Sequence, residues 1–293
     1  MHLPRFIWLV LFTANISFGS IVFDLMHTRP ECHHSGKPTT WCTFDDVATA
    51  ALKAGMEKRV GQMLEDAEDP EQSRIAIAYF SFSNEAVFKK LCERGKAGIP
   101  IEGFFDVSYR GGAKHPGKLA KECQGPSGDN VQVHFLGLDR SDPGNEWRLH
   151  HNKFLIVDTG ADTLKINFSS GNLSQSGLSI HFDHWVMLEA SRKTNLARQH
   201  ECVIQSMQKA LDPNDSGEDA EEDDPDLYRS SLEKCLKKNT LWDKGTEWVE
   251  DALKKEKIAP LFSPDPDDRV YKVLAENIDQ VVKGGKIYGA IQH

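Results

Sequence analysis

Apolar positions fall in short blocks of two kinds along this chain, and the order of the blocks predicts the fold. Residues 75–82 pass from alternation into a continuous β-branched and aromatic run, residues 99–107 form another, and residues 131–136 a third, all with the content of strands. Between the first two, residues 85–94 read as a helix that Asn84 would cap and Gly95 and Gly98 would stop. Strand, helix and strand at this spacing predict a parallel βαβ unit. Earlier, residues 21–25 read as a short strand, 30–43 as a cysteine-clipped loop, and 45–64 as a helix with Val47, Ala51, Val60 and Leu64 on its apolar stripe. Later come a short helix at 118–122, strands at 147–158, 164–170 and 183–189, and a closing helix at 191–211. The sum is an α/β fold: an α-β-α sandwich with a mixed, largely parallel sheet.

The tail adds a second pattern. Residues 261–264, a helix-like stretch at 268–282 and a strand at 286–291 repeat the order of the helix ending at Leu64 and the strand at 75–82. Any helix followed by any strand looks alike, so a true second repeat and a chance likeness both stay open.

Composition narrows the class. At 293 residues, 39% hydrophobic and 27% charged, the chain can bury a substantial core as an ordinary globular protein. The formal charge of -9 owes much to one acidic run at 218–226, which reads as a solvated loop rather than a calcium site because it lacks alternating ligands and a central glycine. Arg5, the apolar core at 6–12 and the small residues near Ser17 and Gly19 read as an export signal, too short to span a bilayer. Six cysteines agree with export, and their spacing suggests the pairs Cys32–Cys42, Cys92–Cys123 and Cys202–Cys235 among fifteen connectivities. A metal reading of Cys32, His33 and His34 with Cys42 fits no zinc spacing well, which favours a disulfide.

The candidate chemistry sits in His151-Asn152-Lys153 and the apolar run that ends at Asp158. Alternation along a strand would put the His151 imidazole and the Lys153 ammonium on one side of a sheet. Soon after, Ser169-Ser170-Gly171-Asn172 ends the next apolar strand, where small residues can bring hydroxyl, amide and backbone donors close to an anion. His-x-Lys, four residues and Asp, then a small-residue cluster ending in Asn and the string His181-Phe182-Asp183-His184, together resemble the signature of the phospholipase D superfamily, the HKD phosphodiesterases. The chain departs from that pattern in three places. Ser169-Ser170-Gly171-Asn172 stands for the usual Gly-Ser-x-Asn; the gap after Asp158 is longer, which reads as a longer hairpin turn at 159–162; and Asp183 stands where the family often has Glu, with a shorter reach.

The resemblance implies that His151 attacks phosphorus to form a phosphohistidine, that Lys153 and Asn172 hold the phosphate with Ser170 as a further donor, and that Asp183 accepts from the other ring nitrogen of His151 and sets its tautomer. Asp158 completes the catalytic set, with the role of ordering its local loop. No cofactor and no metal are implied. The acid that protonates the leaving group would come from a second His151 across a two-fold homodimer, since one motif copy is present. His150 should face away, while His181 and His184 are closer substitutes. Asn167-Phe168-Ser169 and Asn172-Leu173-Ser174 also match glycosylation acceptors, and a glycan on Asn172 would block the pocket.

The expected substrate is a phospholipid, with contact at a membrane surface, because 35 Lys and Arg against 44 Asp and Glu suit nucleic acid poorly. An exported endonuclease with the same chemistry is the alternative, with Lys114, Lys118 and Lys121 along a groove, and an inactive half-enzyme serving as a binding module is a third reading. The expected organisation is a signal peptide at 1–19, a phospholipase D-like domain at 20–214, an acidic linker with helices at 215–256 and a truncated start of a second repeat at 257–293. Secretion or a periplasmic location follows from the signal and the cysteines.

Overall fold

Ser73 ends a turn and Arg74 starts the strand around which the rest of the sheet assembles. The computed structural model describes residues 21–28, 32–34, 37–39, 42–44, 46–112, 114–137, 150–181, 183–211, 225–239, 247–250 and 255–258. In chain order the elements are β1 (Ile21–Thr28), β2 (Cys32–His34), β3 (Lys37–Thr39), α1 (Val47–Glu65), β4 (Arg74–Tyr79), α2 (Glu85–Lys96), β5 (Ile101–Asp106), α3 (His115–Glu122) and β6 (Val131–Leu136). They continue as β7 (Lys153–Asp158), β8 (Thr163–Ser169), β9 (Asp183–Ser191), α4 (Asn195–Ala210), α5 (Pro225–Lys238), β10 (Glu247–Glu250) and β11 (Lys255–Ile258). The signal peptide expected at 1–19 lies outside the described residues, as do the tail repeat's helix and strand at 268–282 and 286–291.

Seven strands form one mixed sheet in the order β1-β9-β8-β7-β4-β5-β6. The predicted βαβ unit is its parallel part: β4 pairs with β5, and β5 with β6. The other four ladders are antiparallel, and of these β7 and β8 form a hairpin joined by a short turn. Gly160 turns the β7–β8 hairpin at φ 75°, where the longer gap after Asp158 was expected to be absorbed.

Alternation along the strands divides the core between the two faces. Ile75, Ile77, Tyr79, Leu155, Val157 and Trp185 pack with residues of α1, α2 and α3 on one face. Ala76, Ala78, Phe154, Ile156, Leu164 and Ile166 pack with α4 and α5 on the other, which completes the α-β-α sandwich. Asn84 caps α2 as its position predicts, its side chain accepting from the Val87 N–H at 3.0 Å, and Thr194 caps α4 on the Ala197 N–H at 3.2 Å.

The first helix corrects one expectation. Val47 is 86% exposed and Ala51 is also exposed, while Met56, Val60, Met63 and Leu64 are buried. The buried side of the first turn carries Thr49 instead, so the apolar stripe of α1 does not extend back to Val47 and Ala51. The disulfides Cys92–Cys123 and Cys202–Cys235 form as paired in sequence, joining α2 to the end of α3 and α4 to α5. Cys42 is also disulfide-bonded; the side chain of Cys32 lies outside the described residues. None of the helices among the described residues is long and apolar enough to cross a membrane.

Candidate active site

Strand direction gathers the candidate residues at one edge of the sheet. β4 and β5 run the same way, and their carboxyl ends carry Tyr79 and Asp106; β7 and β9 run against their neighbours, so they begin at that edge with Lys153 and Asp183, where β8 ends in Ser169. Outside the carboxyl ends of parallel strands is where ligands of open α/β sheets bind. Cross-strand register sets Tyr79 opposite Lys153, and Ser169 opposite Trp185, so these side chains share the face that α1 to α3 cover.

His151 lies two residues before β7 rather than on it, yet its imidazole still meets Lys153. Lys153 Nζ is 3.1 Å from His151 Nε2 and donates to the His151 carbonyl at 3.2 Å. An ammonium can only donate, so the His151 Nε2 facing it accepts with its lone pair and the ring proton falls on Nδ1. Phe80 meets the His151 ring edge-on at 5.1 Å between centroids, and the Phe80 N–H donates to the Asn152 carbonyl, which fixes the chain between the two site residues.

Burial sets the charges here. Lys153 is 8% exposed, and that burial pushes its ammonium down to about 8, against an opposing pull from Asp183. His151 is more open to solvent; partial burial and the Lys153 charge hold it below its usual value, while Asp106 pulls the other way. Asp106 thus acts electrostatically on His151, and Asp183 on Lys153. Asp183 Oδ1 accepts from Ser170 Oγ at 2.9 Å.

That turn is built to bring backbone close to Asp183. A Cβ at Gly171 would lie 2.8 Å from Asp183 Oδ2 and 2.9 Å from the Trp185 ring, so only glycine fits between Ser170 and Asn172. Ser170 Oγ also accepts the His184 N–H at 2.9 Å, tying the turn to the start of β9. Ser169 Oγ donates to the Gly171 carbonyl at 2.6 Å and stands 3.4 Å from the Tyr79 hydroxyl, whose pKa burial pushes up. Asn172 Oδ1 is buried and has no hydrogen-bond partner among the described residues.

The last member of the motif string is elsewhere. Asp158 ends β7, five residues from Lys153 and about 16 Å away at the rise of a strand. There it accepts from Arg74 Nε at 2.9 Å, from Arg192 Nη2 and from the Gly160 N–H at 2.9 Å. It therefore cannot touch a substrate at His151, and its place among catalytic residues is corrected to an anchor of the β7–β8 turn, as a loop-ordering role requires. His150 is buried, and burial pushes its pKa down to about 3, so it is neutral. His181 is exposed, with Nδ1 3.9 Å from Asp183 Oδ2. Asn167 is fully buried and its Oδ1 accepts from the Tyr79 hydroxyl at 2.8 Å, which rules it out as a glycan acceptor in the folded chain.

Two residues that sequence reasoning missed belong to the site: Asp106 and Phe80. A carboxylate closing a predicted parallel strand was the available signal for Asp106; nothing in the local pattern marks Phe80. Among the described residues no group of three or more His, Cys, Asp or Glu side chains could hold a metal ion.

No protein-family model matches the sequence, and no curated protein matches it. Among solved structures, NucT from Helicobacter pylori is similar with a TM-score of 0.45 and 14% identity, over 64% of this chain and 96% of that one. Polyphosphate kinase from Porphyromonas gingivalis gives a TM-score of 0.41 at 10% identity, over 74% of this chain but only 28% of that chain. A phospholipase D family member, Nuc from Salmonella typhimurium, gives 0.33 at 14% identity, over 79% of this chain and 100% of its own. By the motif string and by the mixed sheet whose edge gathers His151, Lys153, Ser170 and Asp183, this chain resembles the phospholipase D superfamily.

Proposed function

We propose that this chain is a metal-independent phosphodiester hydrolase of phospholipase D type, working through a phosphohistidine on His151. The observation that carries the reading is the 3.1 Å approach of Lys153 Nζ to His151 Nε2 at an open strand end. A nucleophilic lone pair and a positive charge then face the same space. A phosphodiester entering it would take over the Lys153 proton with a nonbridging oxygen and present phosphorus to Nε2. The N–P bond forms as the P–O bond to the leaving alcohol breaks, and that oxygen takes a proton from a second imidazole. Water activated by the same imidazole then cleaves the N–P bond and frees His151.

The second imidazole is the His151 of another copy, so the active unit is a homodimer. The lowered pKa of His151 supports its role as the neutral nucleophile at pH 7. Ser170 through its hydroxyl and Asn172 through its side-chain N–H are the further phosphate donors. The disulfides support a secreted or periplasmic protein.

The net charge of -9 favours a phospholipid or another small diester at a membrane surface over a polyanion. A specific observation favours the second reading, an endonuclease. Phe80 packs edge-on against His151 at 5.1 Å and against Tyr109 at 5.9 Å, and Lys114 Nζ lies 5.2 Å over the Tyr109 ring, a grouping of flat and cationic side chains that suits bases and phosphates. The test is hydrolysis of a chromogenic phosphodiester, phosphatidylcholine vesicles and plasmid DNA in EDTA, with wild type beside His151→Ala. Turnover that needs His151 and survives EDTA is expected, with the preferred substrate choosing between the readings. Absence of turnover on all three would favour the inactive binding module.

A further inference from the structure

A cavity of about 500 Å³ opens at the opposite end of the sheet from His151, between α4 and the row of side chains that crosses β4, β5 and β6. The register Ala76↔Glu102↔Gln132 makes that row. Ala76 is too small to fill its place, and α4 presents Glu201, Ile204 and Gln208, spaced on one helical face, as the facing wall. Ile156 and Ile101 add apolar surface to the lining. The volume is that of a small-molecule site: apolar walls with a few converging polar groups.

Its charges are mostly acidic, with Glu102, Asp129 and Glu201 set against Arg74. Glu102 stands in the middle of the sheet row, and burial raises its pKa, which marks a carboxylate short of solvent. Oε2 accepts from Gln208 Nε2 at 2.7 Å. Oε1 has only His134 Nε2 at 3.8 Å, and burial lowers the pKa of that ring, so it brings no charge at pH 7. Arg74 is the cation of the lining, but its Nε is bonded to Asp158 and its Nη2 to Glu201 at 3.2 Å. An anion entering the cavity would face Glu102 and Glu201 with no uncommitted cation from Arg74 to meet it. A cation would find Glu102 Oε1.

We propose that this cavity is a second ligand site, separate from the phosphodiester site, that takes a small organic cation with an apolar body, its ammonium on Glu102 and its body against Ala76, Ile156 and Ile204. Benzylamine, benzyl alcohol and benzoate are matched probes of one shape and three charges. Titrated into the full ¹⁵N-labelled chain and followed by NMR, benzylamine is expected to shift the side-chain amides of Gln132 and Gln208. It should bind about tenfold or more tightly than the other two, the worth of one charge-assisted hydrogen bond. Glu102→Gln should abolish that preference, and Ile204→Trp, which fills the space, should abolish binding of all three. Equal binding of the three probes, tighter binding of benzoate, shifts centred on His151, or benzylamine affinity unchanged in either variant would each overturn the proposal. Neither the probes nor the readout depends on phosphodiester turnover, so this test stands or falls apart from the function proposed above.

Discussion

Asp106 Oδ2 accepts the His150 backbone N–H at 3.0 Å, so the carboxylate at the end of β5 holds the chain one residue ahead of the nucleophile. Asp106 Oδ1 is in turn held by Ser108, through its N–H at 3.0 Å and its hydroxyl. A buried carboxylate fixed in this way gives His151 both a position and a negative neighbour, and it separates the roles of the two aspartates.

The pH profile should report that separation. The His151 nucleophile must be neutral, so kcat/KM rises with pH through a value below 6.5, the ordinary histidine value from which His151 is lowered. On a chromogenic diester, whose nitrophenolate leaves without a proton from the second His151, Lys153 must be charged, so kcat/KM falls again as pH passes about 8. Asp106→Asn removes the group that raises the His151 pKa, and its acid limb should move to lower pH. Asp183→Asn removes the group that raises the Lys153 pKa, and its alkaline limb should move to lower pH while the acid limb stays. Profiles on a chromogenic diester check both; if Asp183→Asn moves the acid limb instead, Asp183 serves His151 after all.

Lys153 should be needed for activity and costly for stability. Its folded pKa of about 8 lies below the usual 10.5, so the folded state disfavours the ammonium that the unfolded chain accepts freely. The cost is full below pH 8 and fades as pH rises toward 10.5. Lys153→Met should lose activity yet gain on the order of 1–3 kcal/mol in stability at pH 7. Thermal unfolding at pH 7 and pH 10 checks this: the gap in Tm should narrow at the higher pH.

Asp158 should behave in the reverse sense. Its partners Arg74 and Arg192 also reach Glu201, at 3.2 and 3.7 Å, so the cluster ties β4, β7 and α4 together far from the chemistry. Asp158→Ala should cost about 1–3 kcal/mol of stability, because it removes a buried acceptor of three hydrogen bonds. The folded fraction should keep the wild-type positions of both pH limbs. A shifted limb without lost stability would return Asp158 to the active site.

Most of the fold was legible because it rests on local patterns. The strand at 131–136 forms with those bounds, Asn84 caps where its position predicts, and the parallel unit follows from block order. What failed depends on tertiary placement. Val47 fits a helical stripe, but the side of the first turn that is covered carries Thr49 and leaves Val47 in solvent. The motif string put Asp158 beside His151 in sequence, and a strand then carried it to the far edge. The pairing of Asp106 with the His150 backbone joins residues 44 positions apart, which no spacing rule foresees.

Reduction should loosen the molecule unevenly. Cys202–Cys235 joins α4 to α5, and Cys92–Cys123 joins α2 to the segment after α3. Each closes a loop of about thirty residues, worth about 2–4 kcal/mol. Hydrogen exchange in dithiothreitol should show α5 losing protection before β4 and β7, which are paired on both sides within the sheet.

The central claim is a covalent bond between His151 and phosphorus. Mixing the protein with bis(4-nitrophenyl) phosphate, quenching in alkali and mapping peptides by mass spectrometry tests it directly, since attack expels one nitrophenolate and leaves the remaining half-ester on the imidazole. The expected result is a nitrophenyl-phosphoryl adduct on the peptide carrying His151, and neither adduct nor turnover in His151→Ala. Turnover by His151→Ala at the wild-type rate, or an adduct on any other residue, would contradict it.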